Sequence, residues 1–300
     1  MNEWTEEEIR ILETYRNRGY TYYQIQTFLE QVGFIRSYDS IKKFASKRLG
    51  RKDHIRDIGT PEPICRDTLP AEKVKYSGSH RVLVIGDIHA PFNHRYYLDF
   101  LNDTYTTWKC DTVVCIGDEV DFHALSKYPQ DPNGYGAGDE LINAISALRP
   151  YYEAFPDVQV VTSNHTARPL KKAFEAGIPT QFLKDYKTFL DAPKGWSWQR
   201  QLEIDGVLYH HGEGYSGALG AYKAAMNAMR STVIGHIHSH GGCTYVQTEF
   251  NRIFALNVGC GVDIEAYAFA YGKNCAFKPT LGCGVVLDGV EAYFIPMQGF

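Results

Sequence analysis

The chain has 300 residues, 44% hydrophobic and 22% charged, with a formal net charge of −4. That composition excludes a disordered or fibrous chain and suffices for one large domain, or one large and one small. The longest apolar runs, such as Val82–Ile85 and Val113–Ile116, are strand-length and far short of the about 20 residues that cross a membrane. Met1-Asn2-Glu3-Trp4 continues acidic, which predicts no secretory leader. The seven cysteines (65, 110, 115, 243, 260, 275, 283) form no C-x-x-C pair, which predicts reduced thiols in a cytoplasm and argues against a structural zinc site.

Residues 1–50 read as three helices. Thr5 can cap the first, with Glu6, Glu7 and Glu8 at its positive end and Ile9, Leu12 and Tyr15 inward. Gly19 closes it, Thr21 opens the second, and Ile25, Phe28, Leu29 and Val32 form its stripe up to Gly33. Ser37 or Asp39 starts the third, which carries Ile41, Phe44, Ala45 and Leu49 inward and Lys42, Lys43, Ser46 and Lys47 outward. Between Phe34 and Arg56, eight basic residues (Arg36, Lys42, Lys43, Lys47, Arg48, Arg51, Lys52, Arg56) face only Asp39 and Asp53, so the stretch carries +6 and the rest of the chain −10. A basic patch on an acidic chain predicts a polyanion contact confined to it.

Residues 51–80, with Gly59, Pro61, Pro63, Pro70 and Gly78, read as a linker that runs extended. From residue 81 to 300 strands alternate with helices. Strands are expected at Arg81–Ile85, Thr112–Ile116, Val158–Thr162, Thr232–Ile234 and Ile253–Val258. Hairpins are expected around Asp205-Gly206 and Asp288-Gly289. Helices are expected at Tyr96–Trp108, at Glu140–Phe155 with a break near Pro150, at Pro169–Leu190 in two pieces, and at Ala218–Met229. The segments Phe122–Asp139 and Gly259–Pro279 read as walls or a lid beside the site.

The polar residues gather at strand ends. Five expected strands run into Gly86-Asp87-Ile88-His89, Gly117-Asp118-Glu119-Val120-Asp121, Ser163-Asn164-His165, His210-His211-Gly212 and Gly235-His236-Ile237-His238. Seven of the eleven histidines (89, 165, 210, 211, 236, 238, 240) lie in or beside these clusters. Ligands of open α/β sheets collect beyond the carboxyl ends of the strands, so the five clusters should converge. Carboxylate, imidazole and amide oxygen together suit borderline divalent ions such as Mn²⁺, Fe²⁺ or Zn²⁺, and a carboxylate can bridge two of them. No G-x-S-x-G, G-x-x-x-x-G-K-S/T or G-x-G-x-x-G accompanies a strand.

The order G-D-x-H, G-D-x-x-D, N-H, H-G, G-H-x-H resembles that of the calcineurin-like metallophosphoesterases. The resemblance implies a four-layer αββα sandwich, an α/β fold, over residues 81–300, and a phosphoric ester hydrolase with two divalent ions, first among them Mn²⁺, with Fe²⁺, Zn²⁺ and Ni²⁺ as alternatives. It implies that Asp87, His89 and His238 hold one ion, that Asn164, His211 and His236 hold the other, and that Asp118 bridges. His210 is the alternative to His211. His165 would be the general acid, oriented by Asp121, and a metal-bridging hydroxide the nucleophile. The chain departs from the pattern at Thr166, where an acid is usual, and at Phe122, where arginine is frequent; Arg168 could substitute for that arginine. His123 and His240 are additional candidates near the site.

Trp4-Thr5-Glu6-Glu7-Glu8, Gly19-Tyr20-Thr21, Ile25 and Arg36-Ser37 through Arg48-Leu49-Gly50 resemble a Myb/SANT or related helix-turn-helix module. That resemblance implies nucleic-acid contacts, expected to be with DNA, from Lys42, Lys43, Lys47 and Arg48. The expected activity is therefore that of a phosphodiesterase or nuclease in a prokaryotic or phage-infected cytoplasm. The alternatives are a phosphoprotein or nucleotide monoesterase with a protein-docking module, and an inactive binding module on this fold.

Overall fold

A computed structural model describes residues 4–17, 22–48, 74–127, 131–266 and 276–298. The chain forms two compact units, Met1–Arg66 and Asp67–Phe300. Among the described residues no helix is long and apolar enough to cross a membrane. The five described cysteines, 110, 115, 243, 260 and 283, are free.

The first unit holds α1 (Glu6–Asn17), α2 (Tyr22–Gln31) and α3 (Tyr38–Arg48). Thr5 N–H donates to Glu8 Oε2 (2.8 Å) and Glu8 N–H returns a bond to Thr5 Oγ1 (3.3 Å), so the two residues satisfy each other's free groups at the α1 start. Ser37 Oγ accepts from Ser40 N–H (3.3 Å) and opens α3. Leu12, Ile25, Leu29, Ile41 and Ala45 form the core. Val32, expected inward, is exposed: α2 stops at Gln31, Gly33 turns the chain with φ 91°, and Phe34 packs against the core instead. Two cations of the basic stretch have internal partners. Arg36 meets Glu8 at two points (2.6 and 2.9 Å), and Arg48 lies 3.2 Å from Glu13. Gly19, Thr21, Leu49, Gly50 and the basic residues 51, 52 and 56 lie outside the described residues.

The second unit is α/β. One sheet has the order β12-β11-β2-β3-β4-β5 and the other β1-β6-β7-β8-β10-β9. In the first, β2 (Arg81–Ile85), β3 (Thr112–Cys115), β4 (Val158–Val161) and β5 (Trp196–Gln199) run parallel, with β11 (Gly282–Leu287) and β12 (Glu291–Pro296) antiparallel at one edge. The second sheet holds β1 (Val74–Tyr76), β6 (Leu202–Ile204), β7 (Val207–Tyr209), β8 (Thr232–Ile234), β9 (Gly242–Gln247) and β10 (Arg252–Asn257). Of the expected linker, 51–73 lie outside the described residues, and Val74–Tyr76 pair with Leu202–Ile204 as an edge strand.

Alternation along the central strands builds the layers. Val82, Val84, Val114 and Ile116 point at Leu202, Tyr209, Val233 and Leu256 of the other sheet. Leu83, Ile85, Val113 and Cys115 point the other way, onto Tyr97, Leu101, Ala144 and Leu148 of α4 (Tyr97–Thr107) and α5 (Ala137–Ala154). Both faces of these strands are therefore apolar. On the far side of the second sheet, α8 (Gly220–Ala228) buries Ala221, Ala224 and Ala225 against Ile234 and Ala255. The result is helix, sheet, sheet, helix. α5 runs through Pro150 without the expected break; Pro150 and Ser146, whose carbonyl loses its usual donor, both face solvent. The expected Pro169–Leu190 helix is α6 (Arg168–Glu175), a 3-10 turn at Thr180–Phe182 and α7 (Tyr186–Phe189).

Candidate metal centre

β2, β3, β4, β7 and β8 all end on the same side, and each hands the chain to one of the five polar clusters. The ligand atoms of Asp87, His89, Asp118 and His238 lie within 4.8 Å of one another, and so do those of Asp118, His211 and His236. Asp118 belongs to both groups. Asn164 joins the second, its Oδ1 3.1 Å from His211 Nε2. A third group, His89, Asp121 and His165, adjoins the first. All nine residues expected for metal and catalysis are thus brought together. His210, the alternative to His211, belongs to none of the three groups; its ring faces Tyr215 at 5.8 Å, and burial together with the adjacent His211 pushes its pKa down to about 4.

The backbone shows how closely the clusters are drawn in. His89 (φ 54°), Asp118 (φ 48°) and His236 (φ 66°) adopt the left-handed conformation that side chains disfavour, at a cost on the order of 1 kcal/mol or more each. Gly117 has φ 106°, and a Cβ there would stand 2.7 Å from His211 Nδ1. A Cβ on Gly235 would collide with Asp87 Oδ1. These two positions exclude side chains because the ligand residues His211 and Asp87 occupy the space.

Hydrogen bonds behind the ligands fix which nitrogen faces inward. His211 Nδ1–H donates to the Ile116 carbonyl (3.0 Å), and its Nε2 then faces Asn164 Oδ1 (3.1 Å) and Asp118 Oδ2 (3.3 Å). A neutral imidazole has one N–H, yet His211 has acceptors at both nitrogens. Either a second proton or a cation must reconcile them. Burial opposes a charge on His211, but Asp118 and Asp87 outweigh it and push its pKa up to about 10. His89 shows the same geometry with the opposite tendency. Its Nδ1–H donates to Asp121 Oδ1 (2.6 Å), its Nε2 lies 3.4 Å from Asp118 Oδ2 and 3.1 Å from His238 Nε2, and burial with the neighbouring His165 holds its pKa down. Asp87 accepts from the His236 N–H at 2.8 Å through Oδ2, while its buried Oδ1 has no hydrogen-bond partner among the described residues. Inward-facing lone pairs and an orphaned carboxylate oxygen fit divalent cations.

His165 sits to one side. Its Nδ1 donates to Asp121 Oδ1 (2.8 Å) and to the Asp121 carbonyl (2.9 Å), and its Nε2 is 4.0 Å from Asp118 Oδ2. Burial disfavours its positive charge, but Asp118 and Asp121 prevail and raise its pKa above the ordinary histidine value. Arg168 reaches back from α6, donating through Nη1 to the carbonyls of Asp121 (2.8 Å) and Phe122 (3.2 Å), with Nη2 3.0 Å from His165 Nε2. His123 Nδ1 lies 3.8 Å from Asp121 Oδ2; His240 belongs to none of the ligand groups and bonds Ser239 (2.9 Å).

Sequence reasoning missed the support under Asp118. The Asp118 N–H donates to Ser163 Oγ (2.9 Å), which lies 2.8 Å from Thr166 Oγ1, and Thr166 donates to Glu119 Oε2 (2.9 Å). Trp198 Nε1–H closes the chain on Glu119 Oε1 (2.8 Å). Thr166, standing where an acid was expected, thus meets a carboxylate supplied by the β3 loop. Burial raises the Glu119 pKa to about 7. The signal was the extra carboxylate inside Gly117-Asp118-Glu119-Val120-Asp121, two buried acids in a row.

No family model matches the chain, and no curated protein matches it in sequence. Among solved structures it is similar to a metallophosphoesterase from Sphaerobacter thermophilus, at 13% identity and a TM-score of 0.37, over 74% of this chain and 89% of that one. It is similar to the Pseudomonas putida nuclease MPE, at 11% identity and a TM-score of 0.29, over 72% of this chain and 87% of that one. It is also similar to Vacuolar Protein Sorting 29 from Cryptosporidium parvum, at 13% identity and a TM-score of 0.36, over 70% of this chain and 85% of that one.

Proposed function

We propose that this chain is a two-metal phosphoesterase whose substrate is a phosphodiester of nucleic acid. The observation that carries the reading is the convergence of two three-residue groups on either side of Asp118. Asp87, His89 and His238 would hold one divalent ion, Asn164, His211 and His236 the other, with Asp118 reaching both. The donor set suits Mn²⁺ first, with Fe²⁺, Zn²⁺ and Ni²⁺ as alternatives. Bound there, the ions would supply Lewis acidity toward phosphoryl oxygens and lower the pKa of water.

The chain's own residues would do the rest. Asp121 holds the His165 ring through Nδ1, leaving Nε2 to carry a proton toward the departing oxygen. A protonated Nε2 cannot accept from Arg168, so the guanidinium then turns to the phosphate, the part the frequent arginine at position 122 would have played. The nucleic-acid reading is supported by α3, where the Lys42, Lys43 and Lys47 side chains are exposed and have no partner among the described residues. Arg48 contributes less, since its exposed pair with Glu13 competes.

A substrate panel tests the reading. With Mn²⁺ the protein should hydrolyse bis-p-nitrophenyl phosphate and single-stranded or duplex DNA faster than p-nitrophenyl phosphate. Turnover of the monoester alone would favour a phosphatase with a docking module. Bound metal with no turnover of any ester would favour an inactive binding module.

A further inference from the structure

Beside the centre lies a cavity of about 470 Å³ that the chemistry above does not use. It shares Ser163, His211 and Gly212 with the metal centre and extends away from it between α6, the end of β5 and α8. Its volume is within the about 300–1,000 Å³ of pockets that hold small ligands. Lys171 of α6 and Arg200, just past β5, both line it, from separate elements. Neither side chain has a hydrogen-bond or ion-pair partner among the described residues. The carboxylate of Glu213 lines the same cavity, so the two cations leave a net positive wall. The same cavity has an aromatic part: Tyr215 and His210 line it with their rings 5.8 Å apart, and the Tyr215 hydroxyl accepts from Asn227 Nδ2 (3.1 Å).

Isolated surface cations are usually solvated and mean nothing. These two differ because separate segments bring them to one concave wall, and that wall includes His211, a residue of the second ligand group. Two cations beside an aromatic face match a phosphate joined to a base, the repeating unit of a nucleic-acid strand. We propose that this cavity is a nucleotide subsite in which Lys171 and Arg200 hold the phosphate next to the one being cleaved. The inference rests on the phosphodiesterase reading and sharpens it: the substrate would be a strand with a phosphate flanking the scissile bond, not a simple diester.

The test compares cleavage of the internal diester in three thymidine dinucleotides: one without end phosphates, one with a 5′ phosphate and one with a 3′ phosphate. The wild-type protein with Mn²⁺ should prefer one phosphorylated form over the bare dinucleotide by about 10-fold or more in kcat/KM, and which one it prefers gives the polarity of the strand. Lys171→Ala with Arg200→Ala should bring that ratio close to one. Lys171→Arg with Arg200→Lys should keep most of it, which separates lost charge from lost folding. Internal cleavage with no preference, or a preference that survives the double alanine change, overturns the subsite alone. A wild-type protein that cleaves none of the three but hydrolyses a monoester overturns the phosphodiesterase reading, and the subsite with it.

Discussion

In the unit from Asp67 to Phe300, the carboxylates of Asp87, Asp118 and Asp121 are almost wholly withdrawn from solvent beside one another, whereas in the N-terminal unit Glu8 is the one described charged side chain so buried. Withdrawing a charge from water costs several kcal/mol unless something compensates it. The second unit accepts that cost for three carboxylates at a single place, with strained backbone added, and such a concentration has a use. The lysines of α3 cost nothing where they are, so their presence constrains partner and purpose far less. Buried polar groups announce chemistry; exposed ones only permit it.

The most severe way to probe the contrast is His165→Ala. Because His165 lies beside the ligand groups and belongs to neither of the two that share Asp118, the variant should keep the metal content of the wild type and lose turnover by about 10²–10⁴-fold. Loss of metal together with activity would make His165 a ligand instead. A smaller effect is expected on the exposed side. Replacing Lys42, Lys43 and Lys47 by alanine should lower the log–log salt slope of DNA retention by about 0.9 for each phosphate contact removed. An unchanged slope would detach α3 from nucleic acid.

The mildest effect concerns Glu8. The Arg36 guanidinium, opposed by burial, holds its pKa near 2 instead of 4.5. A lowered carboxylate pKa stabilises the folded state above the unfolded value and loses that contribution as pH falls from about 4.5 toward about 2. Amide-exchange protection of Ile25, Leu29 and Ile41 should therefore decline across that window in the wild type and more weakly in Glu8→Gln. Parallel declines would assign the acid sensitivity elsewhere.

The same contrast explains what the sequence disclosed. Arg81–Ile85 was readable to its last residue because both its faces are buried, and the ligand clusters stood out because each follows a short, mostly buried strand. β9 escaped notice because Gly242–Gln247 is an edge strand with no buried residue to set a period. β5 escaped because Trp196–Gln199 is four residues long and follows Pro193 and Gly195, residue types that interrupt a strand pattern. β1 is three residues held by pairing with β6, a contact no local pattern encodes. At the site, ligand types and order were legible, but the Asp118–Ser163–Thr166–Glu119–Trp198 chain was not. It joins residues from three strand ends, and only folding shows that a serine and a threonine link two buried acids.

Metal content measured by elemental analysis, on wild-type protein and on Asp118→Ala after Mn²⁺ loading and desalting, tests the central claim most directly. Two ions per chain in the wild type and at most one in the variant is the predicted result. A wild-type chain that retains no divalent ion, or a variant that still retains two, would contradict it.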